Sequence, residues 1–265
     1  MDNLQPVWNG NTEMQNDNVK NLNLLQRFFG VIFSPSETMK CIVERPKVLF
    51  PILAMAITPV LVNIIRLPLY KEMQRELMVK TSETMAARFN TPVMTAADID
   101  KAVSNNLIFG SITTPIVTII MWLIGTAVIF GILKAFGGQG KFKQCMAVTG
   151  YASMITVLLS VLTLIVSFFS GSLKLDLSLG IFAGQLLSGS EGSFIYGLMY
   201  TLLTAIGVFT IWNYAVTGLG LIHMTKLSKA KVCAVIIVYF IVVVLLGGAL
   251  AGVTEVMTSG ISSQI

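Results

Sequence analysis

The chain has 265 residues, of which 54% are hydrophobic and 12% are charged, and its mean hydropathy is +0.78. A soluble domain carries roughly 25% charged residues, so this chain has too few polar groups to cover a water-soluble globule, and most of it is expected to face lipid. The net charge of +5 is attributed to cations that flank membrane helices, and nucleic-acid binding is not expected.

Cysteine and histidine usage predicts no metal, redox or cofactor site. The three cysteines, Cys41, Cys145 and Cys233, are far apart and form no CxxC pair, and His223 is the only histidine. Residues 1–21 are polar and lack the apolar stretch of a signal peptide, so they are predicted to be a disordered cytoplasmic lead.

Residues 22–47 are predicted to form two amphipathic helices before the first membrane span. One helical face of the first carries Leu22, Leu25, Phe28, Phe29 and Ile32. Asn23, Gln26 and Arg27 lie off that face, which is typical of a helix lying on the membrane surface. The sequence SPSE at 34–37 predicts a capping box for the second helix, which should end before Pro46.

Five apolar stretches are each long enough to cross a bilayer, at about 18 residues or more for a core of roughly 30 Å. They cover residues 48–65, 107–133, 145–169, 194–222 and 232–253. Pro59 and Pro115 are predicted kinks in the first two. Between these two stretches, Thr95 and Asp98 are predicted to cap a helix that runs through Val103. The predicted fold is an all-α integral membrane bundle with a five-span membrane domain over 22–253, a helical extracytoplasmic loop at 66–106 and an extracytoplasmic tail at 254–265. Within residues 170–193 the apolar part, LSLGIFAGQLL, has only about eleven residues, which is too short to cross, so this segment is predicted to be interfacial or re-entrant.

The distribution of cations predicts the sidedness of the bundle. Residues 1–47, 134–144 and 223–231 hold 11 Lys and Arg, whereas the short segments on the other side hold one. The positive-inside rule therefore predicts a multi-pass protein of the cell membrane with a cytoplasmic N-terminus and an extracytoplasmic C-terminus.

Two groups of residues are candidate interaction sites. A cytoplasmic face for docking a partner or lipid headgroups is predicted at Lys40, Arg45, Lys47, Gly137, Gly138, Gly140, Lys141, Lys143, Lys226, Lys229 and Lys231. The glycine-rich turn within it is either a cradle for a lipid phosphate or a plain connection between helices. Gly248 and Gly252 form a GxxxG pattern, which indicates either a dimerisation face of a homo-oligomer or packing within the chain.

Catalytic chemistry is not expected. The cores of the five predicted spans contain no Asp, Glu, Lys, Arg or His, and the chain has no Walker, HExxH or GxSxG motif. The chain is therefore predicted not to be an enzyme.

Three short motifs carry a resemblance to a known family. They are GVIFSPSE at 30–37, GGQGKFKQ at 137–144 followed by VTGYA at 148–152, and the segment from Ile211-Trp212 through Gly218-Leu-Gly220 to His223 and Lys229-Ala230. In their order and spacing they resemble the bacterial branch of the Yip domain, named for Ypt/Rab-interacting proteins, over about residues 24–246. The resemblance implies five spans, a cytoplasmic N-terminus and no catalytic residues. It also implies association of some bacterial members with peptide exporters of the ABC class, and of the eukaryotic branch with prenylated small GTPases.

The predicted function is that of a non-enzymatic accessory or scaffold, with membrane lipids and an ABC-type exporter as candidate partners. The alternative is a small permease or lipid-handling protein, which is suggested by Pro59 and Pro115 and by the polar Asn63 and Asn213 within predicted spans.

Overall fold

The structure is a computed structural model that describes residues 22–170, 176–190 and 192–262. The predicted disordered lead at 1–21 lies outside these residues. Within them the chain is helical apart from turns and one isolated β-bridge. The helices are α1 (Leu24–Phe33), α2 (Pro35–Glu44), α3 (Leu49–Ile65), α4 (Leu67–Phe89), α5 (Ala96–Ala135), α6 (Phe142–Ala152), α7 (Met154–Ser170), the 3₁₀ segment η1 (Leu179–Phe182), α8 (Ala183–Leu186), α9 (Phe194–Ala205), α10 (Val208–Thr225) and α11 (Lys229–Ser262).

Helix α1 presents its apolar face outwards. Leu25 and Phe29 are 64% and 53% exposed, whereas Arg27 and Val31 are buried against the protein. This is the orientation expected of a helix whose apolar face meets lipid. Its N-terminus is closed by a capping box that the sequence analysis missed. The Asn23 side chain accepts from the backbone N–H of Gln26, and Gln26 Oε1 accepts from the backbone N–H of Asn23.

Helix α2 begins and ends as predicted, but the predicted capping box at its start is wrong. Pro35 occupies the first turn and the helix ends at Glu44, yet the Ser34 side chain makes no capping hydrogen bond. Ser34 ends α1 and begins α2 at once, because its N–H donates to Gly30 O and its own carbonyl accepts from Thr38. This double role leaves Ser34 in a conformation outside the extended region usual for an N-cap.

Helix α5 packs against both α3 and α4. Pro59 lies inside α3 and Pro115 inside α5, and a bend of 75° separates α3 from α4 next to Arg66. Thr95 caps α5 as predicted, accepting from Asp98 N at 3.2 Å. The prediction that this helix ends near Val103 is wrong, because it joins the predicted second span in one continuous helix of 40 residues, Ala96–Ala135.

The predicted third span is two helices with a break at Ser153. Thr156 N donates to Ser153 O, so the carbonyl of Ala152 is released from the regular helical pattern. The side-chain amide of Asn213, on α10, donates to Ala152 O at 3.0 Å. A partner on a neighbouring helix therefore compensates the break, as the low polarity of a bilayer requires.

The predicted fourth span is also broken, at residues 206–207 between α9 and α10. The exposed backbone groups pair with the segment that precedes η1: Leu179 N donates to Ile206 O at 3.0 Å, and Val208 N donates to Leu177 O at 3.2 Å. The described part of the predicted re-entrant segment, residues 176–190, therefore packs against this break. Non-helical backbone at membrane depth is tolerated only where protein or water satisfies it.

The chain is an all-α membrane helical bundle, as predicted. In the part that the structure describes, three helices are long and apolar enough to span: Ala96–Ala135, Phe142–Phe169 and Lys229–Val256. Counting the bent pair Leu49–Ile65 and Leu67–Ala87 as one span gives four, so the predicted five is approximate. Helix α11 continues to Ser262, so the first residues of the predicted tail are helical.

The buried core is concentrated at one end of the bundle. It is built from α2, α6, the last turns of α5 and α10 and the first turns of α11. Helix α6 lies at its centre, and its residues Ala147, Val148, Tyr151 and Ala152 are fully buried. The 134–144 turn therefore connects two helices that are anchored in the core.

Candidate functional site

Three basic segments that are far apart in the sequence lie at the core end of the bundle. Gln144 Nε2 donates to Val43 O at 3.0 Å and joins α6 to α2, while Gln139 N donates to Thr225 O at 3.1 Å and joins the turn to α10. We call the surface of α2, residues 45–47, 134–144 and 226–231 the basic platform. Its exposed cations are Lys40, Arg45, Lys47, Lys134, Lys141, Lys143, Lys226, Lys229 and Lys231. Glu37 and Glu44 are its exposed acidic residues, so its potential is strongly positive.

Two glycines of the 134–144 turn, Gly137 and Gly138, use their amides within the chain. Gly137 N donates to Lys134 O and Gly138 N donates to Leu133 O, which closes the C-terminus of α5. Gly137 and Gly140 have φ of 79° and 100°, values that favour glycine. Because the amides of residues 137–139 are all engaged, a phosphate cradle made of them is not formed. The exposed lysines of the turn are charged groups that can meet an anion.

Lys134 supports the turn from within. Its Nζ donates to Gly138 O at 3.3 Å and to Gly140 O at 3.1 Å, and it lies 5.1 Å from the centroid of the Phe130 ring. This side chain therefore stabilises the connection, whereas Lys141 and Lys143 project from the next helix. The predicted docking residues thus divide into cations that face outwards and glycines that hold the loop.

Arg27 is a buried cation that the sequence analysis assigned only to the polar side of α1. Its side chain is 1% exposed, and it donates to Leu22 O and Arg45 O. Its Cζ lies 5.9 Å from the centroid of the Tyr151 ring on α6. A lone cation in an otherwise apolar amphipathic helix was the signal that could have identified this anchor of the basic platform.

A polar cavity of about 340 Å³ lies inside the bundle, between α5, α6, α7, α10 and α11. Its lining includes Thr210, Asn213 and Thr217 of α10, Trp122 of α5 and Thr149 of α6. The residues on α10 follow a helical spacing of three and four, a polar stripe that the sequence shows. The sequence analysis noted Asn213 alone.

A second hollow of about 490 Å³ lies in the elbow between α3, α4 and α5. Asn63 of α3 and Lys71 of α4 line it together with Ser104 of α5. Asn63 and Asn213, which the sequence analysis treated together, therefore belong to two different cavities.

The glycines of the GxxxG pattern pack within the chain. A Cβ added at Gly252 would lie 2.6 Å from Phe194 O, and one added at Gly248 would lie 2.5 Å from Leu198 Cδ1. Gly197 of α9 faces the backbone of Gly252. Gly192 N at the start of α9 donates to Glu255 Oε1 at 3.0 Å. This surface of α11 is thus occupied by α9.

Comparison with known proteins identifies the family. The Yip1 domain family matches residues 29–251, well over half of the chain. The match includes the basic platform and the lining of the cavity between α5, α6, α7, α10 and α11. No curated protein and no solved structure matches the chain. Together with the all-α membrane bundle, the match confirms the resemblance drawn from the sequence motifs: the chain belongs to the Yip1 domain family.

Proposed function

We propose that this protein is a non-enzymatic membrane scaffold that docks an acidic partner on its basic platform, at the cytoplasmic surface of the cell membrane. The observation that carries the proposal is the convergence of exposed cations from three distant segments on the most buried part of the bundle. A rigid, single-signed surface steers and orients an oppositely charged partner at low cost in conformational entropy.

The partner class that fits is a membrane assembly with an acidic cytoplasmic surface, such as an ABC-type exporter. The bacterial branch of the family, which the sequence motifs resemble, supports this choice. The exposed apolar face of α1, with Leu25 and Phe29, supports a position at the membrane surface next to that partner.

Neutralising the platform tests the proposal. Lys141, Lys143 and Lys229 are replaced with Gln, and the matched control replaces Lys71, Lys80 and Lys101, the exposed lysines of the α4–α5 end, with Gln. We expect crosslinking in membranes, followed by purification in mild detergent, to recover the exporter with the parent and the control but not with the platform variant. Recovery should also fall with ionic strength. Equal recovery with both variants, or no exporter with the parent, would contradict the proposal.

A second candidate function is a small permease or lipid-handling protein. The observation that favours it is the cavity of about 340 Å³ inside the bundle, next to the broken α6–α7 and α9–α10 helices. Discontinuous helices around a central site are common in transporters. The test is the glycerol permeability of vesicles containing the purified protein, measured from the swelling rate. A swelling rate equal to that of protein-free vesicles would exclude the permease function.

A further inference from the structure

The cavity between α5, α6, α7, α10 and α11 is polar but carries no charge. The side chains that line it are hydroxyls, the amide of Asn213, aromatic rings and aliphatic groups, and none of them is Asp, Glu, Lys, Arg or His. A charged ligand at membrane depth needs a counter-charge or a dense shell of donors. A ligand of this cavity is therefore uncharged.

The cavity lies well inside the bilayer. Trp122 is 13 residues from the end of α5, which corresponds to about 20 Å along the helix axis. Tyr239 is 10 residues from the start of α11, or about 15 Å. With a hydrocarbon core of roughly 30 Å, both residues are near its middle.

Two hydroxyls of the cavity, those of Thr210 and Thr217, differ from most others on the membrane helices. Thr149 and Ser153 also line the cavity, but each donates to a carbonyl four residues earlier in the chain. The hydroxyls of Thr113, Thr163 and Thr201 each donate to the carbonyl four residues earlier in their own helix, at 2.8 Å. Their hydrogen-bond donors are therefore already used. Among the described residues, neither Thr210 nor Thr217 has such a side-chain bond, although Thr217 is 2% exposed. Their hydroxyls are left for whatever occupies the cavity.

The lining also includes a residue whose donor is not used, Trp122. The indole N–H of Trp122 is buried and meets no acceptor in the part of the chain that the structure describes. A buried donor without a partner is costly, and most such groups are satisfied in native proteins. Trp122, Thr210 and Thr217 line the same cavity, so the cavity offers polar groups to an uncharged, hydroxyl-bearing ligand.

We infer that this cavity binds an uncharged polyol group, either a free small polyol or the glycerol end of a neutral lipid. The inference deepens the second candidate function, and it does not depend on docking at the basic platform. A volume of about 340 Å³ accommodates a glycerol moiety with room for water. The apolar walls, including Leu159 and Phe209, suit the carbon skeleton of such a ligand.

Binding is measured by the fluorescence of a single tryptophan. Replacing Trp8 and Trp212 with Phe leaves Trp122 as the reporter of the cavity. The purified full-length protein in mild detergent is titrated with three probes: glycerol, a short-chain diacylglycerol, and a phosphatidic acid with the same acyl chains. We expect a saturable shift of the Trp122 emission with at least one neutral probe and none with phosphatidic acid. Glycerol alone identifies a soluble source, and diacylglycerol alone identifies a lipid source.

A matched pair of variants assigns the signal to the cavity. The double variant Thr210→Val and Thr217→Val removes two cavity hydroxyls, and we expect binding about tenfold weaker. The control, Thr201→Val and Thr204→Val on α9, makes the same change where the hydroxyls bond their own helix, and it should bind like the parent. Unfolding temperatures of both variants identify any loss of fold.

Three results would overturn the inference: no shift with either neutral probe, an equal shift with phosphatidic acid, or unchanged binding by the cavity variant. The permeability test separates this outcome from that of the second function. If the protein binds saturably but its vesicles show no glycerol flux, the binding site is supported and the permease function is excluded.

Discussion

The guanidinium of Arg27 donates from Nη1 to the carbonyl oxygen of Arg45, 2.8 Å away, across the two helices that precede the first span. Its Nε also donates to Leu22 O at 3.2 Å. One buried side chain thus closes the start of α1 onto the end of α2, above the Tyr151 ring of α6. The position of α1 at the edge of the basic platform depends on this clamp.

Removing the clamp is expected to destabilise the platform end of the bundle. Arg27→Met keeps much of the side-chain volume but loses both charge-assisted bonds, each worth about 1.5–3 kcal/mol. We expect a loss of about 2–4 kcal/mol in the free energy of unfolding, since neighbouring water recovers part of the loss. Thermal unfolding in mild detergent measures it, and faster amide exchange in α1 and α2 should accompany it.

The control variant changes Arg45, the residue whose carbonyl accepts the bond from Arg27. Arg45 contributes only its backbone carbonyl and its side chain is exposed, so Arg45→Ala should change the unfolding free energy by less than about 0.5 kcal/mol. Equal effects of Arg27→Met and Arg45→Ala would show that the lost positive charge, and not the clamp, is what matters.

Local signals in the sequence predicted the elements of this fold that depend on local chemistry. Thr95 as the cap of α5, the end of α2 before Pro46 and the membrane-facing side of α1 follow from short-range patterns. The breaks at Ser153 and at residues 206–207 do not, because distant groups make them tolerable: the amide of Asn213 in one case and the backbone of Leu177 and Leu179 in the other. Because the sequence is continuously apolar at both breaks, it predicted two uninterrupted spans.

The candidate sites divide in the same way. The basic platform was predictable because lysines flanking a span report on the nearby membrane surface. Only the structure shows that amides of the 134–144 turn are engaged within the chain, since Gln139 N donates to Thr225 O, which is 86 residues away in the sequence. The cavity was missed because part of its lining, including Trp122, comes from another helix.

The bond from Asn213 to the Ala152 carbonyl predicts a measurable loss on substitution. Asn213→Leu leaves that carbonyl unsatisfied at the break between α6 and α7. Hydrogen bonds between membrane helices are worth about 0.6 kcal/mol on average and up to about 1.7 kcal/mol. We expect a loss of about 1 kcal/mol in unfolding experiments in mild detergent, within that range.

Asn63→Leu is the matched control, because among the described residues the Asn63 side chain has no hydrogen-bond partner and lines the separate hollow at the elbow. It should leave the unfolding free energy nearly unchanged. A larger loss from Asn63→Leu than from Asn213→Leu would contradict the assignment of the bond as the support of the break.

The close approach of α9 and α11 predicts that Gly252 tolerates no side chain. A Cβ at Gly252 would lie 2.6 Å from the backbone oxygen of Phe194, so the two helices must separate. Gly252→Ala should destabilise by about 1–3 kcal/mol, as overpacking does. Gly131→Ala, where a Cβ meets nothing within 4 Å, should be neutral or stabilise by roughly 0.5–1 kcal/mol. Thermal unfolding of both variants in the same detergent checks the contrast, and equal stabilities would refute it.

The proposed sidedness is tested by labelling single cysteines with a membrane-impermeant maleimide. Cys145 is fully buried and can stay, whereas Cys41 and Cys233 are replaced with Ser. Gln139→Cys then reports on the basic platform, and Glu83→Cys, exposed on α4, reports on the opposite end. If the platform is cytoplasmic, intact cells should label Glu83→Cys alone, and permeabilised cells should label both. Labelling of Gln139→Cys in intact cells would place the platform outside, where a partner that couples to cytoplasmic ATP hydrolysis has no access to it.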